Sequence, residues 1–139
     1  MTQTPRSASL HVYLSYRDAP AALLWLERAF GFETTMQWPD DNGGIQHAEM
    51  RRGDAAFSLF SGDHPRPVTQ GETCGHGAWV SLPDEAAVDA VFASARKEGA
   101  TVIWGPHGTE WGNYRCRVLD VEGYEWSFGT HRPGESQSW

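Results

Sequence analysis

The sequence predicts an α+β protein of two βαβββ modules, whose strands make a curved mixed sheet in the shape of a cup. Three observations lead there. The order strand, helix, three strands runs twice along 139 residues, and internal duplication of this kind marks a repeated structural unit. A polar Pro- and Gly-rich stretch, SGDHPRPVTQGETCGHG, separates the copies. Each copy has one helix with a single apolar stripe, so one sheet face is covered and the other is left open.

The first strand is LHVYLSYR, 10–17. Leu10, Val12 and Leu14 point to the helix side, and His11, Tyr13 and Ser15 to the open side. Asp18 and Pro20 open a helix as cap and first-turn residue. Its stripe is Ala22, Trp25, Leu26, Ala29 and Phe30, and Gly31 stops it. Strands follow over 32–39, 45–51 and 55–60, joined by a DDNGG turn and a tight turn at Gly53. After the connector the pattern restarts with a strand at 78–82. Pro83 and Asp84 open a helix striped by Val88, Val91, Phe92 and Ala95, and Gly99 ends it. A strand at 101–104 and a final pair around the turn at Asp120 to Gly123 complete the copy. One domain is expected: module 1 over about 8–61, linker 62–76, module 2 over 77–131 and a polar tail 132–139.

On the last strand Tyr124, Trp126 and Phe128 fall on the helix side, and Glu125 and Ser127 on the open side. Ile45, His47 and Glu49 join the open side from the third strand. The hollow of the cup is therefore a polar pocket with titratable groups, the usual place for a ligand.

Bulk properties exclude several classes. A formal net charge of −7 argues against nucleic acid as partner. The basic pairs Arg51-Arg52 and Arg115/Arg117 read as solvated strand edges. No apolar run is long enough to span a bilayer, and the N-terminus has no apolar signal core, so a cytoplasmic protein is expected. Cys74 and Cys116 match no metal spacing and no redox pair, and are expected to stay reduced. A nucleotide-binding glycine loop, a GxSxG elbow and an HExxH helix are all lacking.

The opening HVYLSYRDAPAALLWLERAFGFE, the hairpin GIQHAEMRRGD, and WG followed by DVEGYEWSFGTH resemble the vicinal oxygen chelate superfamily, the glyoxalase, bleomycin-resistance and dioxygenase proteins. The likeness covers about 8–131. It implies the same two-module fold, a homodimer, and either ligand binding or chemistry in the cup. Metal-using members place one ligand on each of up to four strands. By that resemblance His11 fits the first-strand position and His47 the third-strand position. The fifth-strand position falls at Gly77 or Ala78, with His76 nearby. The last-strand position is Ser127, where a metal enzyme would carry Glu, and Glu125 lies two residues nearer the turn.

The expected function is metal-independent binding of an organic molecule, cationic or aromatic, as in antibiotic resistance by sequestration. Tyr13, His47, Glu49, Trp111, Tyr114, Glu125 and Ser127 are the expected contacts. No cofactor is required on this reading. The alternative is an enzyme, a lyase, isomerase or dioxygenase. A divalent metal would then sit on His11, His47 and Glu125, or Glu49, Glu125 and His47 would shuttle protons without one. The identity of the ligand, and whether one chain or two build each cup, lie beyond the sequence.

Overall fold

The computed structural model describes residues 8–135. The first module runs β1 (Tyr13–Tyr16), α1 (Ala19–Phe30), β2 (Glu33–Pro39), β3 (Ile45–Arg52) and β4 (Ala55–Ser61). The second runs β5 (Ala78–Ser81), α2 (Glu85–Lys97), β6 (Thr101–Gly108), β7 (Tyr114–Leu119) and β8 (Glu125–Gly129). Each module is a four-stranded mixed sheet, ordered β1-β4-β3-β2 and β5-β8-β7-β6, with the first strand parallel to its neighbour. The two sheets share no ladder; β1 and β5 are both edge strands. Trp139 and the rest of 136–139 lie outside the described residues.

The helices start and stop where the residue types require. Asp18 accepts a hydrogen bond from the Ala21 amide, and Asp84 from the Ala87 amide, each filling an orphan donor of the first turn. Gly31 closes α1 in the left-handed region at φ 75°. Two boundaries differ from the sequence expectation. β1 begins at Tyr13, and Leu10, expected on the helix side, is exposed. The register Tyr13↔Ser58 carried back would set Leu10 opposite Ala55, where β4 only starts, so nothing overlies it. β6 runs on through Pro106 to Gly108 because it is an edge strand, where the missing N–H costs no ladder bond.

A single core joins the modules. Trp126 of β8 is 1% exposed. Its ring centroid lies 5.1 Å from Phe30, 5.7 Å from Phe32 and 5.1 Å from Phe57, all from the first module. Beneath it Asp120 is buried. Its Oδ2 accepts from the Tyr16 hydroxyl at 2.6 Å and from Trp126 Nε1 at 2.9 Å. Its Oδ1 accepts from the Glu122 and Tyr124 amides. Burial raises the Asp120 carboxyl above its ordinary range, against the pull of those four donors. Burial, then Asp120 itself, pushes the Tyr16 phenol well up, so Tyr16 remains the donor.

The same turn reaches across to α1. Glu122 accepts from the Arg17 and Asp18 amides and pairs with Arg66 of the connector at 3.0 Å. A carboxylate at a helix start is favourable, and here it also clamps the second module onto the first.

Candidate functional site

The gap between the edge strands is a cleft of about 430 Å³. Tyr13 and Ser15 of the first module and His76, Gly77 and Glu125 of the second line it, together with Phe60 and His64. Glu125 and His76 also belong to a smaller hollow on the open face of the second sheet, with Trp79, Arg117 and Ser127. The site is thus continuous from the cleft onto that sheet.

The connector folds back over this face. Its Thr73 hydroxyl and Cys74 amide donate to Glu125, at 3.2 and 3.0 Å. Arg117 completes the surroundings. Its Nε donates to Ser127 Oγ at 2.8 Å and lies 3.5 Å from Glu125, while its Nη1 donates to the Glu72 carbonyl. Glu125 is 6% exposed and Ser127 4%. A carboxylate so buried needs such partners. Gly77 permits the approach, since a Cβ there would stand 2.8 Å from the Glu125 carbonyl oxygen.

Of the expected contacts, Tyr13 is exposed on the cleft rim and Glu125 forms part of its wall. Ser127 lies in the adjoining hollow. Trp111, before β7, is 58% exposed. His47 and Glu49 stand together on the open face of β3. His47 Nε2 meets Glu49 Oε2 at 2.7 Å, a pair able to exchange a proton. They lie away from the cleft; Glu49 instead lines a separate hollow of about 380 Å³ with His11 and Thr35.

Tyr114 lies on the other face of its sheet. It shares the helix side of β7 with buried Cys116 and Val118, and its hydroxyl donates to Asp89 of α2 at 2.6 Å. That bond, with burial second, pushes the phenol up to about 12. Tyr114→Phe is expected to lower the urea midpoint only slightly, since the bond it removes is solvent-screened, and to leave ligand affinity unchanged. A lost affinity would return the residue to the site.

The expected ligands for a metal do not converge. Among the described residues no group of three His, Cys, Asp or Glu side chains is placed to hold an ion. His11 has both ring nitrogens engaged, Nδ1 with the Ala56 carbonyl at 2.9 Å and Nε2 with the Ser9 hydroxyl at 2.8 Å. His47 is taken by Glu49, and Glu125 stands on the other sheet. The donor set does not fit a three-ligand centre.

Arg115 and Arg117 are the residues that sequence reasoning missed. They are not solvated edges. Both lie partly buried on the open face of β7, with guanidinium carbons 4.7 and 4.8 Å from the Trp104 ring. The alternation in YRCRVL carried the signal: with Cys116 and Val118 inward, both arginines must share the opposite face.

A profile of the Glyoxalase/Bleomycin resistance protein/Dioxygenase superfamily matches residues 9–128. Among solved structures, TioX from Micromonospora sp. ML1 is similar at 27% identity and TM-score 0.70, over 91% of this chain and 100% of that one. A glyoxylase/bleomycin resistance protein/dioxygenase domain from Frankia sp. EAN1pec aligns at 16% identity and TM-score 0.72, over 91% and 99%. Lactoylglutathione lyase from Agrobacterium tumefaciens aligns at 23% identity and TM-score 0.64, over 91% and 95%. No curated protein matches the sequence significantly. No helix among the described residues is long and apolar enough to cross a membrane.

Proposed function

The chain belongs to the glyoxalase/bleomycin resistance protein/dioxygenase superfamily, and from that premise we propose that it binds a small organic molecule in the cleft and the adjoining hollow, without a metal. The observation that carries this reading is the state of Glu125. It accepts from Thr73 and Cys74 and pairs with Arg117, so it shapes and polarises the wall of a cavity. Those partners compete for the lone pairs that a metal ion or a transferred proton would use, which favours a binding role over a catalytic one. Sequestration of a toxic compound in the cytoplasm, as in antibiotic resistance, requires affinity alone and suits such a site.

A homodimer fits the exposed apolar side chains. Tyr13, Met36 and Trp38 project from the open face of the first sheet at 75%, 37% and 61% exposure, apolar surface that a second copy would cover. Sedimentation that gives a monomer at tens of micromolar would retire this part of the proposal.

The function is tested by metal analysis of protein purified without chelator, followed by thermal-shift screening against aromatic, cationic and anionic compounds. The expected result is no stoichiometric metal and a ligand-dependent rise in Tm, since a ligand at about 100 times its Kd adds about 2.7 kcal/mol. Stoichiometric metal that disappears in His11→Ala would overturn it.

A further inference from the structure

The open face of the second sheet holds a guanidinium in an unusual state. Arg117 donates to Ser127 and the Glu72 carbonyl and pairs with Glu125. Arg115, two residues before it on the same face, lacks such partners among the described residues. Its Nε is buried with no hydrogen-bond partner, and it enters no ion pair among the described residues. The chain has 18 Asp and Glu against 11 Lys and Arg, so a shortage of carboxylates does not explain an unpaired arginine.

What holds Arg115 is aromatic. Its guanidinium carbon lies 4.7 Å from the Trp104 ring and 5.7 Å from Trp111. Gly129 makes room for its stem. A Cβ there would stand 3.0 Å from Arg115 Cβ and 2.6 Å from Trp79 Cη2, so glycine alone lets arginine and indole lie side by side. Two indoles therefore hold a cation whose buried Nε has no acceptor. Such a group carries a desolvation cost that a bidentate oxyanion would offset. Exposed Trp111 offers a flat apolar surface beside it.

We propose that Arg115, on the open face just beyond the hollow lined by Trp79, Arg117 and Ser127, is an anion anchor and that the ligand is a planar aromatic acid, its carboxylate on the guanidinium and its ring against Trp111. This assignment rests on the open face being a ligand site, and of the cationic or aromatic ligand that the sequence led us to expect it keeps the aromatic ring and reverses the charge, although the whole chain is acidic. Local charge decides here, because contacts within a few ångströms outweigh a diffuse charge screened beyond about 8 Å.

The test uses two probes with one ring system, 2-naphthoate and neutral 2-naphthamide, titrated calorimetrically into the full chain. Naphthoate is expected to bind about tenfold more tightly or better, an advantage of about 1.4 kcal/mol. In Arg115→Gln the two affinities should come within about twofold, with Arg115→Lys between, because an ammonium keeps the charge and loses the fork. If Arg115→Gln does not fold, the comparison in the unaltered protein still decides. Equal affinities there, or an unchanged preference in the variant, overturn the acid assignment. So does conversion of a dimer to a monomer by Arg115→Gln, which would give the guanidinium to a second copy's carboxylate. A Tm rise with neutral or cationic compounds while naphthoate is silent overturns the acid assignment and keeps the binding function. Silence across the whole panel overturns both.

Discussion

Replacing Trp126 with alanine is expected to cost about 3–5 kcal/mol of folding free energy, the range for a large aromatic truncated in a core. The side chain is fully buried and packs on Phe30, Phe32 and Phe57, so the cavity would open at the contact between modules. The variant would also leave Asp120 one donor short. Ser127→Ala, on the next residue and the opposite face, removes only an acceptor for Arg117 and should cost about 1 kcal/mol or less. Guanidinium chloride melts of both variants check the pair. Equal, small losses would mean that the faces of β8 are reversed.

Asp120→Ala is expected to be comparably damaging, at about 3 kcal/mol or more, since each buried donor left without an acceptor costs about 1–3 kcal/mol. Four donors meet on that carboxylate: the Tyr16 hydroxyl, the Trp126 indole and two backbone amides. Asp120→Asn separates the charge from the hydrogen bonds. Burial raises the folded pKa of Asp120 above its unfolded value, so the folded state binds the proton more tightly. The stability advantage of the natural protein over Asp120→Asn should therefore be fullest below about pH 3.9, the ordinary carboxyl value, and shrink as pH rises through the folded pKa. Denaturation melts of the two proteins from acid to neutral pH test the sign. An advantage that grows with pH would show that the four donors outweigh burial.

Much of the fold was legible because it is written in short-range patterns. Asp18 and Asp84 announce helix starts, and the alternation Tyr124, Trp126, Phe128 announces the buried side of β8. The face of Tyr114 was legible in the same way from Cys116 and Val118. The likeness to a family speaks to a strand position and not to its face, and the alternation is what sets Tyr114 towards Asp89 of α2. The surroundings of Glu125 were not legible. Thr73 and Cys74 reach it across about fifty residues of chain from a segment without period, and no local pattern encodes such a contact. The partners of His11 and His47 were hidden for a related reason: strand position gives a face, while the groups that meet their nitrogens come from elsewhere in the fold or from the same strand.

The absence of a ladder between β1 and β5 has a mechanical consequence. Widening the cleft breaks no strand-to-strand amide bond. It strains only side-chain links such as the Tyr124 hydroxyl on the Ser15 carbonyl and the Arg66 bonds beside it. The aromatic cluster around Trp126 is then the spine along which the two sheets are joined, and the width of the gap is set by those few links.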